Sequence, residues 1–388
     1  MKSKSIRSYL SIVLIIASAL TLLQIAAPVT VLATGAKWWV APSPTGTGTS
    51  GGSCKAPGFN TISAAIAAAS AGDTVNVCSG TFVEQVTIGI SLTVQSAPKS
   101  APTIQAPATM ATDSFGSLNI VTITGSTTTA TFSGFTVTGP GSATCGTDNT
   151  GLFIQNGATA TITKNTIEHI QYSSLSGPCN AEGILVGRVA DSTVGHATIS
   201  SNTVSDYNKA GIVVDNAGST ATITGNTVTG DGPTTLISQM GIQIDNGAVA
   251  TVDSNTVKNN ECNESGCGSN LITQGQAPGI VLSFSGSGSV VNNNHVSGND
   301  VGIIVFRSNA PTVTHNAVSN NRFAGIAFFD GTYTASKNTV SGPGNVGIAA
   351  VAEASNTSVT LSSNPISGVT TSIGAFAGSG LIATVLIS

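Results

Sequence analysis

Ten residues from Ala221 to Gly230, A-T-I-T-G-N-T-V-T-G, set a pattern to which most of the chain returns. An Asn two residues ahead of a Val or Ile recurs at Asn165, Asn202, Asn226, Asn255, Asn294, Asn316, Asn338 and Asn364. A Gly-Ile or Gly-Leu pair interleaves at Gly151, Gly183, Gly211, Gly241, Gly279, Gly302, Gly325 and Gly347. Asn294, Asn316 and Asn338 are each 22 residues apart. That period is too short for a helical repeat, and its Val, Ile and Thr favour strands. Such a chain stacks short strands coil on coil, each coil burying its apolar side against the next.

Charged residues are only 8% of the 388, while Gly, Ser, Thr, Ala and Asn dominate, which excludes a disordered polyelectrolyte. Residues 1–33 read as a secretory signal. Lys2, Lys4 and Arg7 form its basic start, Leu10 to Leu23 its apolar core, and Val31-Leu32-Ala33 its cleavage site. The apolar run is nearly span length, so a retained anchor is the alternative. Cleavage removes those three basic residues and takes the formal charge from −4 to −7. That balance speaks against nucleic acid as a partner, which needs clustered Lys and Arg. The apolar C-terminal run is too short to cross a bilayer, so no membrane span is expected in the mature chain.

Six Cys in an exported chain suggest disulfides. Cys145 and Cys179 each precede a glycine pair, at Gly151 and Gly183, so they fall on neighbouring coils within bridging reach. Cys262 and Cys267 close one loop, which leaves Cys54 for Cys78. The four His have no paired spacing with these Cys, so zinc is not indicated.

Lys37 to Val40 reads as a strand, within a segment at 34–60 that is otherwise a Gly/Ser/Thr-rich loop. A capping helix is expected over 61–72, with Ile62, Ala65, Ile66 and Ala69 on one face and Gly72 at its end. It would cover the open apolar end of the first coil. The run from Thr61 to Ile88, T-I-S-A-A-I-A-A-A-S-A-G-D-T-V-N-V-C-S-G-T-F-V-E-Q-V-T-I, resembles the cap and first coil of pectin-lyase-like right-handed β-helix proteins. Pectinesterases, pectate lyases, polygalacturonases and periplasmic carbohydrate-binding β-helix proteins make up that superfamily. With the coil repeats, the resemblance extends to about residue 366. It implies an all-β fold, a right-handed single-stranded parallel β-helix of roughly ten coils over 73–368, with an N-terminal α-helical cap. A closing strand or cap is expected at 369–388. No activity follows, because the superfamily shares this fold across many.

The resemblance names the sheets of each coil PB2, PB3 and PB1 in chain order. In PB2, Ile223 points in while Thr222 and Thr224 point out. Asn226 turns the corner, and Val228 returns to the core in PB3. In PB1, Ile212 and Val214 point in while Val213 and Asp215 point out. Inward Asn amides stacked about 4.8 Å apart can bond one another, each net bond contributing about 1 kcal/mol. Phe135 holds the Asn place one coil earlier, so this ladder should begin at Asn165. The outward T-x-T face of PB2 resembles the ice-binding face of solenoid antifreeze proteins. Thr is also an ordinary exposed strand former, and Asp253, Val290 and Asn292 interrupt the pattern.

Variable loops fall between PB3 and PB1 and are long at 168–182, 229–240 and 258–278. In the pectin-lyase-like families this loop set walls a groove over PB1 that holds the polysaccharide. Asp215 and Asp245 take equivalent places in G-I-V-V-D-N and G-I-Q-I-D-N and would stack about 5 Å apart. Near a dielectric of 20 their repulsion is about 3 kcal/mol, enough to move one pKa by roughly two. Such a pair shares a proton, binds a cation such as Ca²⁺, or is relieved by Arg188 or Arg307. The set resembles the adjacent-coil Asp pair and Arg of pectinesterases. Asp215, Asp245, Arg188 and Arg307 are therefore candidate catalytic residues, and the two Asp candidate metal ligands. The structural alternative is an Asp-Asn corner whose carboxylate accepts turn N–H groups. Phe153, Phe306 and Phe329, with Tyr172 or Tyr333, offer faces for sugar rings, and Gln155, Gln243 and Asp330 offer polar groups beside them. The alternative is that loops pack on these rings.

The W-x-D-H and R-I-K-like lyase motifs, the polygalacturonase N-T-D, D-D and G-H-G, the pectinesterase L-G-R-P-W and the epimerase D-P-H-E are all missing. The reading is a secreted protein whose PB1 groove binds an extracellular polysaccharide, neutral or weakly charged because Lys is scarce there. Lyase or hydrolase chemistry at the Asp pair is the catalytic variant, in which Asp215→Asn should abolish turnover and leave melting nearly unchanged. A non-catalytic surface or adhesin-type stalk is the alternative, and an ice-binding Thr ladder a minor one.

Overall fold

The structure, a computed structural model, describes residues 35–139, 149–172, 175, 177 and 179–388. The leader expected over 1–33 lies outside the described residues, as does Cys145, the expected partner of Cys179. The described chain winds through three parallel sheets of 13, 11 and 11 strands. One coil runs through Thr220–Thr224 in PB2, Thr227–Thr229 in PB3 and Met240–Asp245 in PB1. On the next coil Val252 stacks on Ile223, Val257 on Val228 and Ile280 on Ile242. These inward β-branched side chains are fully buried and fill the interior along the helix axis.

These sheets match the expected count of roughly ten coils, and the winding continues past residue 368. Thr371–Ala377 adds a strand to PB1 and Ala383–Ile387 one to PB2. At the other end, Lys37–Val40 pairs with Thr74–Val77. The capping helix is Ile62–Ala68, shorter than expected, because Ala69 already turns extended (φ −78, ψ 156) ahead of Gly72. Thr61 Oγ1 accepts from Ala64 N, and Glu84 accepts from Ile62 N and Ser63 N at 2.8 and 3.0 Å. Ile62, Ala65 and Ile66 are buried over the first coil.

The Asn column forms an unbroken ladder from Asn165 to Asn364. Asn226 is typical: its Nδ2 and backbone N both donate to Asn255 Oδ1, at 3.0 and 2.9 Å. Ahead of the ladder, Phe135 N donates to Asn165 Oδ1. The residue before each ladder Asn turns the chain through the left-handed region, as at Lys164 (φ 58) and His315 (φ 55). A second ladder, Asn260 to Asn299 to Asn321, lines the corner after PB3, each member five residues beyond an Asn of the first. Disulfides join Cys54 to Cys78 and Cys262 to Cys267, and Cys179 is also disulfide-bonded. No helix among the described residues is long and apolar enough to cross a membrane.

Candidate functional site

The glycine column decides what faces outward from PB1. A Cβ on Gly183 would lie 2.6 Å from Val204 Cγ1, and one on Gly211 2.4 Å from Val228 Cγ1. Both glycines therefore face the core, as do the buried Ile184 and Ile212 that follow them. Two inward positions in a row put the residue ahead of each glycine on the outer face. Glu182 stands there, stacked on Ala210 and then Met240, and farther along Pro278, Val301 and Ala324 stack likewise. Alternation counted strictly from Ile184 turns Glu182 inward, so the period of two hides it.

Two adjoining hollows lie along this face. The larger, about 480 Å³, has an apolar floor of Val281, Ile304, Phe306 and Phe329 and a wall from Leu271 to Gln276. The smaller, about 270 Å³, is lined by Glu182, Arg188, Lys209, Val213 and Asp215. Met240, Gln243 and Asp245 border both.

Val214 and Ile244 are register partners, so Asp215 and Asp245 follow them on adjacent coils. Asn246 bridges the two carboxylates, its backbone N donating to Asp245 Oδ1 and its Nδ2 to Asp215 Oδ1, both at 2.8 Å. Asp215 accepts further from Asn216 N and Val189 N at 2.8 Å, and Asp245 from Gln243 Nε2 at 2.8 Å. Amide donors, rather than an arginine, offset the repulsion. Arg188 instead bonds Ser117 Oγ at 2.6 Å and Asp191 Oδ2 at 3.1 Å. Burial first, and Asp215 only to a lesser degree, pushes the Asp245 pKa up.

The expected Ca²⁺ site does not fit these residues. Calcium takes six to eight oxygen ligands, whereas here the carboxylate oxygens face N–H donors. Among the described residues, Cys262, Cys267 and Asp300 are the one group of three ion-holding side chains close enough together, and its sulfurs are joined in a disulfide.

Glu182 and Lys209 complete the smaller hollow. Glu182 is half-buried, yet its Oε2 is enclosed and has no hydrogen-bond partner among the described residues. Burial, and then the Asp215 charge, pushes its pKa up to about 8, against smaller pulls from its own backbone N–H and then from Lys209. Lys209 Nζ donates to Ser238 O at 3.0 Å, and burial lowers its pKa against the attraction of Glu264 and Glu182.

The other expected residues divide. Phe306 and Phe329 meet at 5.8 Å between ring centroids in the floor of the larger hollow. Phe153 is packed away with Leu185, Ala210 and Val213, and Gln155 is also buried. Tyr172 and Tyr333 are buried, their hydroxyls donating to Asn180 O and Phe329 O. Arg307 and Asp330 line neither hollow. Arg307 lays its guanidinium 4.6 Å over the Phe306 ring and donates from Nε to Asp330 Oδ2 at 2.8 Å. Asp330 Oδ1 gathers the backbone N–H groups of Glu353, Ala354 and Ser355 at 2.8 to 3.0 Å. Burial alone would raise the Asp330 pKa, but these donors and Arg307 hold it below the usual range. The pair fastens the turn whose Glu353 lines the larger hollow.

Several solved structures share this architecture. "The complex structure of XylC with xylose" aligns over 84% of this chain and 69% of its own, with a TM-score of 0.51 and 12% identity. The enzymatically active domain of tailspike protein 2 from bacteriophage CBA120 aligns over 80% of this chain, with a TM-score of 0.53 and 15% identity. This chain spans 48% of that domain's length. Identities this low speak to the fold alone. No curated protein matches the chain by sequence. The family described as "Right handed beta helix region" matches residues 119–261 and 182–364. With its three parallel sheets, the chain belongs to that right-handed parallel β-helix family.

Proposed function

We propose that this is a secreted protein that binds an extracellular polysaccharide along its PB1 groove. One observation carries the reading: an apolar floor of Val281, Ile304, Phe306 and Phe329 lies beside the polar groups of Gln243, Gln274 and Asp245. A sugar ring, with apolar faces and a hydroxyl rim, needs both. The second hollow continues the first across Met240, Gln243 and Asp245, which gives a polymer room for more than one residue. The uncharged floor favours a neutral or weakly charged glycan. The disulfides support export, and the xylose in the XylC structure is in keeping with a sugar ligand on this fold. A glycan array on the full chain, followed by calorimetry, tests the reading. Phe306→Ala should weaken the captured glycan about tenfold, or about 1.4 kcal/mol. Silence on every glycan would favour the structural stalk.

A further inference from the structure

The geometry points to Glu182 as the proton donor of a glycoside-hydrolysing site in the smaller hollow, with Asp245 as the base that takes a proton from water. The inference rests on the polysaccharide reading of the groove.

Glu182 is unlike Asp215 and Asp245. Asp215 has both oxygens engaged by three N–H donors, and Asp245 has both engaged by two. Donors of this kind hold a carboxylate ionised. The Glu182 side chain lines the hollow, and its enclosed Oε2 has no such donor among the described residues. A charged oxygen in that position lacks compensation, whereas a carboxylic acid has a proton to give. The groups around it agree. Asp215 opposes its ionisation, Lys209 opposes that effect more weakly, and Lys209 is itself shared with Glu264 and Ser238 O. The Tyr172 hydroxyl is turned to Asn180 O, and Arg188 is engaged with Asp191 and Ser117. Asp245 borders both hollows and Glu182 the smaller, so a chain lying from one into the other meets both carboxyls.

The step balances without a co-reactant other than water. The Glu182 O–H bond breaks and its proton goes to the glycosidic oxygen. The bond from that oxygen to the anomeric carbon breaks with its electron pair staying on oxygen. Water oxygen bonds to the anomeric carbon, and the proton it sheds goes to the Asp245 carboxylate. Solvent exchange then returns both groups to their starting states.

The test uses the full chain, the glycan captured on the array and its aryl glycoside. Release of reducing ends should fall as pH rises through about 8, where Glu182 loses its proton. Glu182→Gln should lower that release at least about 100-fold with glycan affinity unchanged. It should spare the aryl glycoside, whose leaving group needs no proton and whose release should show no alkaline limb near pH 8 in either protein. Infrared difference spectra of wild type against Glu182→Gln give a reading that needs no ligand, a protonated-carboxyl band titrating near pH 8 that the variant lacks. Glycan binding without turnover by the wild type, or full turnover by Glu182→Gln, overturns the assignment and leaves the binding reading standing. Absence of any bound glycan overturns both, and absence of the infrared band overturns the acid role alone.

Discussion

At the scale of single residues, the glycines and the Asp pair behave differently from what their spacing suggests. The glycines are required by close approach rather than by backbone conformation. A Cβ on Gly211 would meet Val228 Cγ1 at 2.4 Å and Gly241 O at 2.7 Å. Gly211→Ala should therefore cost about 1–3 kcal/mol in denaturant unfolding, as overpacked cores do. Asp215→Asn is no longer expected to spare stability. It turns one acceptor oxygen into a donor, facing Val189 N if at Oδ2 or Asn216 N and Asn246 Nδ2 if at Oδ1. Each orphaned buried group costs about 1–3 kcal/mol, so a clear drop in melting temperature should accompany any loss of function. The Asn ladder was readable from spacing because each inward amide meets its own kind one coil on. Glu182 was not, since its outward turn depends on Gly183 and Ile184 both pointing in.

At the scale of elements, the loop at 258–278 is fastened to the coils instead of lying free over them. Asp300 Oδ2 accepts from Cys262 N at 3.2 Å and Ala277 N at 3.0 Å, near the two ends of the loop. Arg322 Nη1 reaches Cys262 O, Glu261 and Asn263 Oδ1 and lies 3.6 Å from Asp300 Oδ1. Residues from the same loop, Leu271 to Gln276, wall the larger hollow. Arg322→Ala should raise hydrogen exchange and proteolytic cleavage within 258–278 and weaken glycan binding, with global melting less affected. Equal loosening of all coils would mean that the arginine serves the stack rather than the wall. The loop's length and its Cys pair could be read along the chain. Its anchors could not, because Asp300 and Arg322 belong to later coils.

At the scale of the molecule, buried carboxyls set how stability should respond to pH. Burial pushes Glu182 up to about 8 and Asp231 and Asp300 each up to about 6, and it also raises Asp191 and Asp245. A carboxyl raised above its unfolded value keeps more protons folded than unfolded, so its stabilisation is complete below the unfolded value and is lost as pH rises through the folded one. Asp73 and Asp330 are lowered and act oppositely, losing their contribution as pH falls below about 3.8. Melting temperature should therefore peak in mild acid and decline toward pH 8. Glu182→Gln should flatten the upper part of that decline, which scanning calorimetry across pH would measure.

The period of 22, the paired Asn and Gly columns and the scarcity of charge were enough to establish a stacked β-coil with its apolar side inward. Repetition makes this possible, because each coil meets a near copy of itself and local pattern becomes long-range contact. The groove follows that logic only in part. Phe306, Phe329, Asp245 and the long loop at 258–278 stand out along the chain, but Glu182 and the anchors of that loop join them only once the coils are wound and the glycines pressed against the core.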